Sequence, residues 1–123
     1  MEAIEFLSTA REFLEKQPIR EVDCRNAASR AYYCAFHSCK QLLEQHPPNE
    51  PQYGSVHDKV IAELLNHQDK RFRKLGNMLK ATKKLRTDSD YELQKKFPIQ
   101  NAKTAIGDVH KLLQEIQNIQ SAN

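Results

Sequence analysis

Apolar residues recur at three- and four-residue steps along most of the chain, the spacing of one face of an α-helix. Ala3, Ile4, Phe6, Leu7, Ala10, Phe13 and Leu14 set out a first helix over residues 3 to 16, which must end before Pro18. A second runs from about Val22 to Gln45 and stops at the proline-rich stretch Pro47, Pro48 and Pro51. At 1.5 Å per residue it is about 36 Å long, the longest element and the natural centre of the fold. Ser55 is a suitable N-cap for a third helix, with Asp58 three residues on, that buries Val60, Ile61, Leu64 and Leu65. The fourth, about 70 to 87, sets Phe72, Leu75, Leu79, Thr82 and Leu85 on one side. Thr87 to Pro98 reads as an irregular joint, because Asp and Ser compete for backbone hydrogen bonds and proline closes it. A last helix, about 100 to 120, carries Ala102, Ala105, Ile106, Val109, Leu112, Leu113, Ile116 and Ile119.

These elements predict an all-α fold, an antiparallel bundle of four to five helices in a single domain spanning residues 1–123. Composition agrees: three glycines, no tryptophan, and helix formers in excess over strand formers. No stretch approaches the roughly 18 apolar residues of a membrane span. The start lacks a basic region followed by an apolar run, so no secretory or transit signal is expected, and the cytoplasm is the simplest compartment. Three cysteines, Cys24, Cys34 and Cys39, make an odd count that argues against a disulfide framework. Cys34, His37 and Cys39 project to different sides of their helix, so neither a metal nor another cofactor is expected, and the cysteines read as small buried apolar residues. His46, His67 and His110 lie near helix ends or polar faces and are expected in solvent.

Net charge is only +3, but residues 70 to 86 hold eight basic side chains and no acid: Lys70, Arg71, Arg73, Lys74, Lys80, Lys83, Lys84 and Arg86. Such a run suits a polyanion such as RNA, and it equally suits a solvated helix face.

The second helix carries two messages. Projected at about 100° per residue, Ala28, Tyr32, Ala35, Cys39 and Leu42 form the core stripe, with Ala31, Phe36 and Leu43 beside it. Asn26, Arg30, Tyr33 and His37 fall together on the opposite side, since steps of four, three and four return to one line. Any amphipathic helix has polar residues there, facing water. Here Ala27, Cys34 and Phe36 narrow the polar strip to a wedge, and a tyrosine between an arginine and a histidine in a wedge suits a partly covered site.

The stretch Ala28-Ser29-Arg30-Ala31-Tyr32-Tyr33-Cys34-Ala35-Phe36-His37 resembles the second helix of small bacterial and archaeal members of the HEPN superfamily. Their functional motif is an arginine followed, after four to six residues, by a histidine; Arg30 and His37, with six between them, match it. Arg86, Asp90 and Tyr91 match a later Arg, Asp-Tyr element of the family. His57 stands where many relatives have a Thr-His-Ser-Gly motif, with Asp58 departing from it. Cys39 occupies a position where some toxin members carry a tyrosine that a partner nucleotidyltransferase modifies.

The resemblance implies a metal-independent endoribonuclease, the toxin or effector of a toxin-antitoxin or phage-defence system, with RNA as substrate and a nucleotidyltransferase-type antitoxin as partner. The residue types fit that chemistry. RNA brings its own nucleophile, the 2′-hydroxyl, so the protein has to move protons and stabilise charge at phosphorus, tasks for histidine and arginine. Seven residues separate Arg30 and His37 by about 10 Å along the helix, and the arginine leans away from the histidine. A two-fold homodimer would set Arg30 of one chain opposite His37 of the other, and the resemblance implies a dimer through these helices with a shared cleft. The two His37 rings are then expected as base and acid, Arg30 as the charge stabiliser, and Asn26 and Tyr33 as orienting groups. His57, Asp90 and Tyr91 are a candidate second wall; against that, His57 reads as a surface residue, and Arg86, Asp90 and Tyr91 as a salt-bridged helix joint. The competing reading is a non-catalytic HEPN helical module that binds RNA, nucleotide or a nucleotidyltransferase.

Overall fold

In the computed structural model, which describes residues 1–122, five helices follow one another: α1 (Ile4–Phe13), α2 (Glu21–Gln45), α3 (Val56–Leu65), α4 (Lys70–Tyr91) and α5 (Ile99–Ala122). Among the described residues there is no strand, and no helix is long and apolar enough to cross a membrane. The all-α expectation holds.

α2 is the central element because it packs against all four others. Its small residues permit this: Ala27, Ala28, Ala31, Ala35, Cys34 and Cys39 are fully buried, so neighbouring helices approach from several sides. Tyr32, Leu42 and Leu43 fill the remaining space against Leu75 and Leu79 of α4 and Val109 and Leu112 of α5 within one continuous core. All three cysteines lie inside it.

Capping explains where α3 and α4 begin. Ser55 accepts a hydrogen bond from the Asp58 amide (3.3 Å), as its place before α3 predicts. Asp69 does the same for α4, accepting from the Arg71 amide (2.9 Å) while holding the Arg71 guanidinium at 2.8 Å. That charged contact keeps the Asp69 carboxyl at about 2, well below the usual carboxylate value. Between them α3 and α4 touch closely at Gly76, where a Cβ would come within 2.9 Å of the Leu65 backbone nitrogen.

Two expectations need correction. The joint after α4 does not begin at Thr87, because α4 remains helical to Tyr91. Arg25, only 9% exposed, reaches across from α2 and supplies the missing partners of that helix end. Its Nη1 donates to the carbonyls of Asp88 (3.2 Å) and Ser89 (3.0 Å), and its Nη2 to those of Glu92 and Lys95. Glu21, one turn earlier, holds the same guanidinium at 2.8 Å and accepts from the Phe97 amide at 3.2 Å, so the strap from 92 to 98 is tied to the start of α2. Nor is His67 solvated. It is buried, stacked on Phe72 at 4.1 Å, its Nε2 donating to the His46 carbonyl (2.9 Å) and its Nδ1 accepting from the Asp69 amide (3.0 Å). Both ring nitrogens are thereby satisfied, and the ring joins the end of α2 to the start of α4.

Candidate active site

The polar side of α2 lies in a slot between α1 and α4. Arg30 is exposed, whereas Asn26, Tyr33 and His37 are half-buried. The covering side chains decide this: Phe6 of α1 packs against Tyr33 (centroids 5.9 Å apart) and stacks on His37 (5.5 Å, interplanar angle 11°). Phe36 meets the His37 ring edge-on at 5.1 Å. Beside His37 opens a cavity of about 270 Å³ lined by Met1, Ala3, Phe6 and Gln41.

On the other flank α4 presents Arg86. Its guanidinium lies 5.7 Å from the Tyr32 ring, 5.6 Å from Tyr33 and 5.8 Å from Tyr91. Nη2 donates to the Tyr33 hydroxyl (3.2 Å). Nε sits 3.0 Å from Asp90 Oδ2, off the line of its N–H, so the contact is an ion pair and that N–H has no hydrogen-bond partner. Asp90 also takes the Ser29 hydroxyl at 3.4 Å. Arg86 and Asp90 are therefore both a salt-bridged pair and a wall against Tyr33, and Tyr91 stands at its outer edge, 67% exposed.

His57, in the first turn of α3, closes the third side. Its ring packs on Phe36 at 4.3 Å, and its Nδ1 lies 2.7 Å from the hydroxyl of fully buried Tyr32. Burial, then the positive charges of Arg86 and Lys83, hold its pKa below the ordinary imidazole value, favouring the neutral ring. Burial in turn pushes the Tyr32 phenol up, so its hydroxyl keeps its proton. Tyr32 was legible in the sequence only as a core residue. A tyrosine at full burial needs a hydrogen-bond partner, and that requirement was the available signal for His57.

One protomer thus gathers two imidazoles and two guanidiniums around Tyr33: His37, His57, Arg86 and, 6.0 Å from that ring, Arg30. Among the described residues no hydrogen bond links Arg30 to His37, and Asn26 makes no side-chain hydrogen bond. No three His, Cys, Asp or Glu side chains among these residues converge as metal ligands.

The remaining cations of α4 are spread around the helix. Arg71 pairs with Asp69, Lys74 with Glu115 (2.9 Å), Lys83 with Asp58 (2.7 Å) and Lys84 with Asp88 (3.3 Å). Arg73 donates to the His67 carbonyl at 2.8 Å, while Lys70 and Lys80 form no ion pair among the described residues. Lys80, Lys83 and Lys84 line an open groove of about 610 Å³ whose floor is Ile61, Ala62 and Leu65.

Comparison with known proteins joins these observations to one family. Neither curated proteins nor solved structures give a match. A family model described as HEPN domain matches residues 1–119, nearly the whole chain and all the side chains of the slot. The chain belongs to the HEPN domain family.

Proposed function

We propose that this protein is a metal-independent endoribonuclease, acting as the toxin or effector of a toxin-antitoxin or phage-defence system. The observation that carries the reading is the slot on α2, where His37 is held between Phe6 and Phe36 with one edge at an open cavity, in line with exposed Arg30. Imidazole titrates near neutrality and moves protons; guanidinium stays charged and binds phosphate through a planar fork. Attack by the 2′-oxygen at phosphorus, with departure of the 5′-oxygen, leaves a 2′,3′-cyclic phosphate and needs no metal-bound water. Arg30 comes from the facing copy of a two-fold homodimer, since within one helix it is about 10 Å from His37 and leans the other way. Tyr33, fixed by Arg86, orients the phosphate, and Asn26 extends the strip.

The test is cleavage of RNA by wild type and His37→Ala with EDTA present. Wild type yields cyclic-phosphate ends, and the variant loses activity by roughly 100-fold or more, the range of general acid-base contributions. Equal cleavage by both, or strict dependence on added metal, overturns the reading. A second reading is a non-catalytic module that binds RNA, nucleotide or a nucleotidyltransferase antitoxin; the ion pairs that occupy Arg71, Lys74, Lys83 and Lys84 leave few free cations to track an RNA backbone and favour its antitoxin-binding form.

A further inference from the structure

The slot contains a histidine that the arginine-histidine pair leaves without a task. His57 reaches it from α3, and three features set it apart from a solvated surface ring. Its Nδ1 is engaged by Tyr32, a hydroxyl with no other hydrogen-bond partner among the described residues, so the ring orientation is fixed from inside the core. Its face is fixed by Phe36 at 4.3 Å, the same phenyl ring whose edge meets His37 at 5.1 Å. Its Nε2 makes no hydrogen bond among the described residues, and the side chain is only half-buried, leaving that nitrogen as the reactive edge. Two imidazoles on one phenyl ring, with Arg86 across Tyr33, place both proton-transfer groups in one protomer, to which the facing copy adds Arg30.

We propose that His57 is the proton acceptor of the RNA site, taking at Nε2 the proton of the attacking 2′-hydroxyl while its Nδ1–H donates to the Tyr32 oxygen, which holds the ring in place. The proposal rests on the endoribonuclease reading and takes over one of the two roles that the sequence resemblance implies for a pair of His37 rings. The 2′-oxygen forms its bond to phosphorus and its proton passes to His57. The bond from phosphorus to the 5′-oxygen breaks, and that oxygen takes the proton carried by His37. The products are a 2′,3′-cyclic phosphate and a 5′-hydroxyl, and exchange with water restores both rings. An acceptor must start neutral. The groups facing His57 are Arg86 and Lys83 from α4, His37, Tyr32 and Tyr33 from α2, and Asp58 beside it; together with burial their balance favours the uncharged ring. Asp58, the single acid among them, is itself held by Lys83 at 2.7 Å.

The test is the pH profile of kcat/KM for RNA cleavage by wild type, His57→Gln, Tyr32→Phe and His37→Ala, with folding checked by circular dichroism. In wild type the rate falls on the acid side, at a pH below the ordinary imidazole value near 6.5, as His57 takes up a proton. His57→Gln loses roughly 100-fold or more and its acid limb disappears. Tyr32→Phe, which keeps the buried ring and releases Nδ1, loses less and moves the acid limb. A purely structural role for His57 would lower the rate equally at every pH, and that result overturns the proposal. So does a His57→Gln protein with unaltered cleavage beside an inactive His37→Ala, an outcome that leaves the endoribonuclease reading standing. A folded wild type that cuts no RNA overturns both.

Discussion

Tyr32 and Arg25, two buried polar side chains of α2, each tie that helix to another part of the fold. Tyr32 is a phenol at full burial whose hydroxyl finds its partner in His57, 25 positions along the chain. Arg25 is the other, joining α2 to four carbonyls at the end of α4 and the strap that follows. Replacing Arg25 by Met keeps an unbranched stem but removes the guanidinium over Phe97 and strands those carbonyls. The expected loss is about 2–4 kcal/mol, read as a lower denaturant midpoint. Arg25→Lys recovers little, because three donors at a point do not span what a planar fork spans. A variant within about 0.5 kcal/mol of wild type would show that solvent serves the helix end equally well.

At the scale of elements, periodicity made all five helix starts legible to within a residue, and Ser55 and the prolines marked boundaries because they act on their immediate neighbours. The far end of α4 was not legible, because the group that sustains Thr87 to Tyr91 is Arg25, more than sixty positions away in sequence. The same holds for the slot. Projection separated Asn26, Arg30, Tyr33 and His37 from the core stripe, but a helical wheel of α2 carries no information about Phe6 or Arg86, which cover that strip from α1 and α4. His67 escaped for a related cause: its two partners are backbone groups at the ends of other helices. The contact of α3 with α4 is set by Gly76. Gly76→Ala gains helix propensity but drives a methyl into Leu64 and Leu65, and a net destabilisation of about 1–3 kcal/mol is expected from thermal or denaturant unfolding. A stabilised Gly76→Ala protein would mean the two helices separate without cost, and His57 on α3 would then not be held by packing.

For the whole molecule, the central claim is that the site is shared between chains: Arg30 from one copy, the imidazoles from the other. In a two-fold dimer the axis relates two such sites, so each dimer would carry two. Arg30→Ala and His37→Ala are each inactive alone, yet a dimer made of one of each holds one intact composite site, with Arg30 from the His37→Ala chain and His37 from the Arg30→Ala chain. The measurement is RNA cleavage by the two variants after unfolding and refolding together at equal concentration, compared with each refolded alone. Random pairing makes half the dimers mixed with one working site apiece, so about a quarter of wild-type activity returns. A mixture as inactive as its components would contradict the shared site.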